Sequence, residues 1–264
     1  MDLLLDLFRN RRMLFSLSFN DFKTKYTGSF FGVLWAIVQP LATIFVFWFV
    51  FQVGLRTTPT DNNVPFSLWL ICGLVPWFFF SDALSNATNS FYDYNYLVKK
   101  IVFKVSMLPL IKVISSLFIH IVFLLFLLIV YLAYGYSISW ISIISILYFS
   151  FSTFLLVTSI SFITSSVVLF FKDLGQIISI VLQFGMWLTP IMWSTELIPE
   201  HLQWIFKINP LYYIVQGYRS SLLYDKWSAE VLAMTPWFWI GVVVTFILGL
   251  LCFKKLKPHF ADVL

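Results

Sequence analysis

Between Lys112 and Lys172 the chain runs for 59 residues, Val113 to Phe171, without one Asp, Glu, Lys or Arg. Such a stretch cannot make a water-facing surface. About 20 apolar residues carry a helix across the hydrocarbon core of a bilayer, so this interval must hold two crossings. Gly135-Tyr136-Ser137-Ile138-Ser139 offers the turn between them. Four further charge-free intervals repeat the signal: Tyr26–Leu55 (30 residues), Asn62–Ser81 (20), Leu174–Thr195 (22) and Val231–Phe253 (23). The expectation is an all-α, polytopic membrane protein, one transmembrane domain over 1–264. Its six transmembrane helices fall near 30–54, 64–84, 113–134, 140–170, 176–194 and 232–253. The short alternating segments of a membrane barrel are missing from the pattern.

Composition narrows the function classes. Charged residues make up 11% of the chain and hydrophobic ones 60%, whereas a soluble domain carries about 25% charged residues. A soluble enzyme, a disordered chain and a disulfide-stapled module are excluded. Cys72 and Cys252 both lie in apolar runs and read as small buried hydrophobes. The net charge of +5 comes from 17 basic and 12 acidic residues. The basic ones flank apolar runs instead of clustering on a soluble face, which points to membrane topology and away from nucleic acid. With the N-terminus inside, 13 of the 17 basic residues fall in cytoplasmic segments and four (Arg56, Lys207, Arg219 and Lys226) outside. By the positive-inside rule both termini are expected in the cytoplasm.

Three segments outside the spans carry their own expectations. Residues 1–25 lack the apolar core and cleavage site of a signal peptide. Phe15, Phe19, Phe22 and Tyr26 recur there at helical spacing, the pattern of an amphipathic helix lying along the interface. Residues 85–112 form the largest cytoplasmic loop, offering Phe91, Tyr92, Tyr94 and Tyr96 followed by Lys99, Lys100 and Lys104. Residues 196–230 are apolar for an outside loop and are broken by Pro199 and Pro210. They are expected to fold as short or re-entrant helices backed by protein.

Catalytic constellations are not found. No phosphate-cradling G-x-x-x-x-G-K-[ST] occurs, no metal-binding H-E-x-x-H, and no C-x-x-C. His120, His201 and His259 lie in different segments, and a lone His120 within a span reads as hydrogen-bonded to a neighbouring helix. Asp82 is the one Asp, Glu, Lys or Arg within the expected spans, near one end, where it reads as a solvated or capped end group. A coupled carrier needs titratable residues at the midplane, so transport by this chain needs energy from elsewhere. Aromatics are abundant instead. Trp35, Phe45, Trp48 and Phe49 in the first span, with Phe184 and Trp187 in the fifth, are candidates to line a path for an amphipathic chain.

The residues also resemble a family. Asp21-Phe22-Lys23-Thr24-Lys25-Tyr26, then Gly28-Ser29-Phe30-Phe31-Gly32-Val33-Leu34-Trp35 and Gln39-Pro40, are similar to the opening of ABC-2 type permeases that export surface polysaccharides. Those proteins read D-L-K-x-R-Y, then L-G-x-L-W, then P. Gly73-Leu74-Val75-Pro76-Trp77-Phe78-Phe79, Phe171-Lys172-Asp173-Leu174, Thr189-Pro190-Ile191-Met192-Trp193, Asn209-Pro210-Leu211 with Tyr218-Arg219, and the tail Phe260-Ala261-Asp262-Val263-Leu264 follow in family order. Lys stands for the commoner Arg at positions 25 and 172, which keeps the charge and loses the guanidinium fork.

The resemblance implies a homodimer paired with two copies of a separate ATPase that binds MgATP, with no cofactor in this chain itself. The cargo would be O-antigen, capsule or wall teichoic acid on an undecaprenyl diphosphate carrier, crossing a bacterial plasma membrane. Tyr212-Tyr213, Gly217-Tyr218-Arg219 and Leu223-Tyr224 look closest to the teichoic acid branch. It further implies an interface helix in 1–25 and a coupling helix in 85–112, so Phe91, Tyr94, Tyr96, Lys99 and Lys100 are expected to meet the ATPase. Lys25, Lys23 and Arg11 are the nearest cations for the carrier diphosphate, alongside a role in attracting anionic lipid. Trp204, Phe206, Tyr212, Tyr213 and Arg219 are expected at an outer gate. Alternatives are an ABC-2 permease for a small drug-like or haem-like molecule, a membrane-embedded polyprenyl-lipid transferase, and a channel. The transferase would need clustered Asp, Glu or His at one membrane face.

Overall fold

The computed structural model describes residues 10–28, 30–56, 64–98 and 104–263. Helix α1 (Arg11–Lys25) leads to a 3-10 turn at Gly32–Leu34 and helix α2 (Trp35–Trp48), which a π-helical turn extends to Gly54. After α3 (Phe66–Thr88) come two single turns, α4 (Ser90–Asp93) and α5 (Asn95–Val98). The long helices α6 (Met107–Ala133) and α7 (Trp140–Val168) follow, then α8 (Leu174–Leu188). Two short helices, α9 (Glu200–Lys207) and α10 (Pro210–Leu223), precede α11 (Ala229–Leu256) and a last turn, α12 (Phe260–Val263). Among the described residues there is no strand.

Five stretches are long and apolar enough to cross a bilayer: Gly32–Gly54, Phe66–Thr88, Met107–Ala133, Trp140–Val168 and Ala229–His259. The fifth expected span, 176–194, is cut short by the fold. Its helix, α8, has 15 residues, about 22 Å at 1.5 Å per residue and short of a core about 30 Å thick. Pro190 explains the break, because a proline pushes the residue before it out of the helical region. Thr189 is accordingly extended, at φ −86° and ψ 126°. From Thr189 to Met192 the non-helical backbone is buried, which is the condition under which irregular chain is tolerated at membrane depth.

Helix α3 is the centre of the bundle. It packs against α6, α7 and α10, and α7 in turn packs against α11. The α7 sequence explains the close approach, for it is unusually rich in serine and threonine. Ser152, Thr153, Ser159, Ser161, Ser165 and Ser166 each return their hydroxyl to the carbonyl four residues back. Small side chains satisfied within their own helix let neighbouring backbones come near without a stranded donor. A Cβ added at Gly249 of α11 would lie 2.9 Å from the Ser159 carbonyl oxygen, so α11 rests on α7 through a residue with no side chain. A second apolar cluster gathers at the α1 end of the bundle, around Phe91, Met107, Phe162, Phe253 and Phe260. Helices α2 and α8 form the rim: in α2 only Ala36 and Ile44 are buried, and in α8 nothing is.

Candidate functional site

Polar groups that a bilayer would not tolerate alone are collected at three places. The first is a cavity of 410 Å³ enclosed by α2, α3 and α6 near the C-terminus of α1. At its mouth the Lys25 ammonium meets the Asp82 carboxylate at 2.7 Å, and the Ser116 hydroxyl donates to the other Asp82 oxygen at 2.6 Å. Asp82 is therefore the paired junction of three segments, a more structural role than a solvated helix end. Burial, and then the Asp82 carboxylate, push the neighbouring Tyr26 phenol up to about 12, so it stays a neutral donor. Gln39 and Thr43 of α2 line one wall, and Trp35, Phe78, Phe79 and Phe123 supply ring surface. Deeper in, the His120 ring stacks on Phe79 at 4.6 Å. Its Nε2 pairs with the Ser150 hydroxyl (3.2 Å) and the Tyr218 hydroxyl (3.3 Å). His120 thus ties α6 to α7 and α10, as its isolation in an apolar run suggests.

The second place joins α1 to the loop after α3. Lys112 reaches Asp21 of α1 and Asp93 of α4, both at 2.8 Å, and the Tyr94 hydroxyl donates to Asp21 at 2.6 Å. The Lys112 ammonium also lies 4.9 Å from the centre of the Tyr94 ring. Burial raises the Tyr94 phenol, and its acceptor Asp21 raises it further, so the hydroxyl remains a donor. Alongside, Phe15, Phe19 and Phe22 each turn an edge to the ring of Phe118 in α6, at 5.6 to 5.9 Å. Helix α1 is held by this charge network and aromatic seam as well as by the Lys25–Asp82 pair.

The network alters the reading of the loop residues. Phe91 has no exposed surface and packs on Phe253 and Phe260, so its ring belongs to the chain's own core and not to a partner. Tyr94 is spent on Asp21. Tyr96, at 55% exposure, is the aromatic left facing outward; Lys99 and Lys100 lie outside the described residues. Asp21 and Lys112 were not picked out from sequence as partners. The available signal was that Lys112 is the last charge before the long apolar interval.

The third place is the break after α8. Arg219 of α10 is 2% exposed and donates to the carbonyls of Pro190 and Ile191, each at 2.7 Å, and to that of Trp69 at 3.4 Å. Its guanidinium lies 3.4 Å from the centre of the Trp69 ring. The Pro190 and Ile191 carbonyls, outside any helix ladder once α8 has ended, are thus collected by one planar fork. Tyr212 and Tyr213 are also buried, bonded to Glu230 and to Thr235 and Tyr148. Of the five residues expected at an outer gate, Tyr212, Tyr213 and Arg219 are therefore buried within the bundle. Trp204 is exposed on α9, and Phe206 stacks edge-on against Trp193 at 5.1 Å.

The aromatics expected along a path divide by face. Trp35, Phe45, Phe49, Phe184 and Trp187 are exposed on the rim helices, whereas Trp48 is partly buried against the core. Phe47 meets Trp187 at 6.3 Å, edge to face, which brings α2 beside α8. Lys23 stands over the Phe19 ring and Arg11 is exposed on the first turn of α1. Lys25 has Asp82 as its partner. The structure does not bring these three cations together at one point.

An apolar bundle with charged groups kept to its ends and aromatic faces on its rim has the build of a transport subunit. The chain belongs to the ABC-2 type transporter family, whose model matches residues 13–223; it is a permease component and not an enzyme. It is 31% identical over 255 residues to an O-antigen export system permease protein RfbA of Klebsiella pneumoniae, covering 96% of this chain and 95% of that one. A second Klebsiella pneumoniae protein of that name is 29% identical over the same span. The RfbA of Myxococcus xanthus is 26% identical over 219 residues, 81% of this chain and 82% of its own.

Proposed function

We propose that this chain is the permease subunit of an ATP-driven exporter that moves a lipid-linked surface polysaccharide out of the cytoplasm, across a bacterial plasma membrane. It would work as two copies with two copies of an ABC ATPase, which would bind the MgATP. Family membership supports transport and an ATPase partner, and the relatives' names favour an O-antigen-type polysaccharide over wall teichoic acid, toward which the Tyr212-Tyr213 run leans. The observation that carries the reading is the Lys112–Asp21–Asp93–Tyr94 network. It makes α1 and the loop after α3 one rigid platform at the end of the bundle richest in Lys and Arg. Work done on that platform by an ATPase would reach α3 and α6 directly. By the positive-inside rule this end is cytoplasmic, with both termini on that side.

The cavity beside Lys25 would receive the carrier diphosphate, which must first displace Asp82 from the ammonium; Lys23 and Arg11 would supply attraction at the surface. The exposed aromatics of α2 and α8 would line the path between copies. Vesicles holding this chain and its ATPase should consume ATP faster when undecaprenyl diphosphate-linked glycan is added and should accumulate the glycan on the far side. Lys25→Gln should abolish the stimulation while leaving the basal hydrolysis. Uphill movement by the chain without an ATPase would refute the reading, and intact stimulation in Lys25→Gln would remove the diphosphate role. Transport of a small drug-like or haem-like compound with no response to lipid-linked glycan would favour the other kind of ABC-2 cargo.

A further inference from the structure

We propose that the groove behind α9 and α10 holds one acyl chain of an anionic phospholipid, with its phosphate at Lys207. The inference does not depend on what the permease exports. The groove has a volume of 660 Å³ and lies between α7, the α9–α10 junction and α11. Along α11 it runs from Met234 to Thr245, eleven residue steps or about 16 Å at the helical rise. That is about half of a hydrocarbon core 30 Å thick, the depth of a single leaflet. A phospholipid chain matches this length, and a polyprenyl chain is far too long for it.

The lining is fit for hydrocarbon. Its hydroxyls are already committed: Thr245 donates to the Gly241 carbonyl, and Tyr213 is bonded to Tyr148 and Thr235. Apart from Lys207 and Asn209 at the α9–α10 junction, what faces the space is therefore carbon, and an unfilled hollow of this size would forfeit packing on its walls. Trp204 and Trp237, both strongly exposed, flank it as indoles do where chain meets headgroup. Gly241 faces open space, with nothing within 4 Å of a Cβ placed there.

At the rim stands the complementary charge. Lys207 is 40% exposed and holds Glu230 at 2.7 Å, leaving two of its three N–H donors for an anion. Glu230 also accepts from the Tyr212 hydroxyl at 3.2 Å, so it keeps a donor when the ammonium turns to a phosphate. A lipid seated here would brace the short helices that cover the α8 break and make their position depend on headgroup charge.

The test is native mass spectrometry of the full chain released from vesicles of equal phosphatidylglycerol and phosphatidylcholine. The wild type should retain one phosphatidylglycerol with about fivefold preference, the selectivity of one lysine near a charged surface. Gly241→Phe, or the smaller Gly241→Leu, places its Cβ where no protein atom lies within 4 Å, fills the hollow and should lose the lipid. Lys207→Gln together with Glu230→Gln should keep a lipid and lose the preference. Equal retention by the plugged variants, or no preference in the wild type, would overturn the proposal. A readout without a plug is quenching of tryptophan by phosphatidylglycerol with brominated chains. The Trp204→Phe, Trp237→Phe double variant should lose the quenching that saturates at low lipid, and unchanged quenching would equally overturn it.

Discussion

Arg219 shows how a single side chain can replace a stretch of helix. Its three acceptors are backbone carbonyls and its fourth neighbour is an indole face, so its charge is stabilised by dipoles and a ring without a carboxylate. Arg219→Met strands the Pro190 and Ile191 carbonyls in a buried setting, a loss of about 3 kcal/mol. Arg219→Lys keeps the charge but cannot bridge two carbonyls in one plane, and should lose about half as much. Thermal unfolding in a fixed lipid or detergent should rank wild type above Lys above Met; equal values for Lys and wild type would mean that the fork is not what matters. The sequence placed this residue, the charge of a Tyr-Arg pair, at an outer gate in a segment expected to fold as short helices backed by protein, but it did not show what the guanidinium holds. The charge tally along the sequence had no means of showing that a proline 29 residues earlier leaves carbonyls for it to collect.

At the scale of elements, the contacts between helices depend on what is missing from them. Gly249 and Gly241 lie on the same helix and make opposite predictions. Gly249→Ala sets a methyl group 2.9 Å from the Ser159 carbonyl, forcing α11 off α7 at a cost of about 2 kcal/mol. Gly241→Ala meets nothing within 4 Å and should gain about 1 kcal/mol from helix propensity. Denaturation of the two variants side by side checks the sign of each; a loss at both positions would contradict the packing of α7 on α11. The elements themselves were mostly readable, because the charge-free intervals mark where a chain can lie in hydrocarbon. Four expected spans, near 64–84, 113–134, 140–170 and 232–253, each coincide with one long helix, and the first, 30–54, is helical from Gly32 to Gly54 with changes of pitch. The fifth was overextended because apolar composition persists past Pro190 while helical geometry does not. The serines of α7 were invisible as packing residues, since only the three-dimensional arrangement shows that both its neighbours press against them.

For the whole molecule, the two apolar clusters divide the chain into a bundle and a platform, with α6, α7 and α11 running through both. Lys112 is the charged centre of the platform. Lys112→Met leaves Asp21 and Asp93 with no ammonium between them, and breaking such a buried pair costs about 3 kcal/mol. We expect the variant to reach the membrane and bind its ATPase while export per ATP falls severalfold. Tyr96→Ala, which removes an exposed ring 6.2 Å from that of Tyr94 and none of the network's charges, should instead weaken ATPase binding. If both variants lose binding equally, the division between inner network and outer surface fails. This part of the site was half legible: sequence marked the loop and the amphipathic helix, yet it assigned Phe91 and Tyr94 outward, because an aromatic run reads the same whether it faces a partner or its own core.

Chain order gives the buried arginine a further consequence. Trp69, Pro190 and Ile191 are all translated before Arg219, so the oxygens and the ring that receive the cation exist before it leaves the ribosome. The most deeply buried Asp, Glu, Lys or Arg among the described residues reaches the lipid with its receptors already made. A circular permutation that reverses that order, starting the chain between Ile191 and Arg219, would oblige the same guanidinium to wait in hydrocarbon for its acceptors, and insertion should become the slow step.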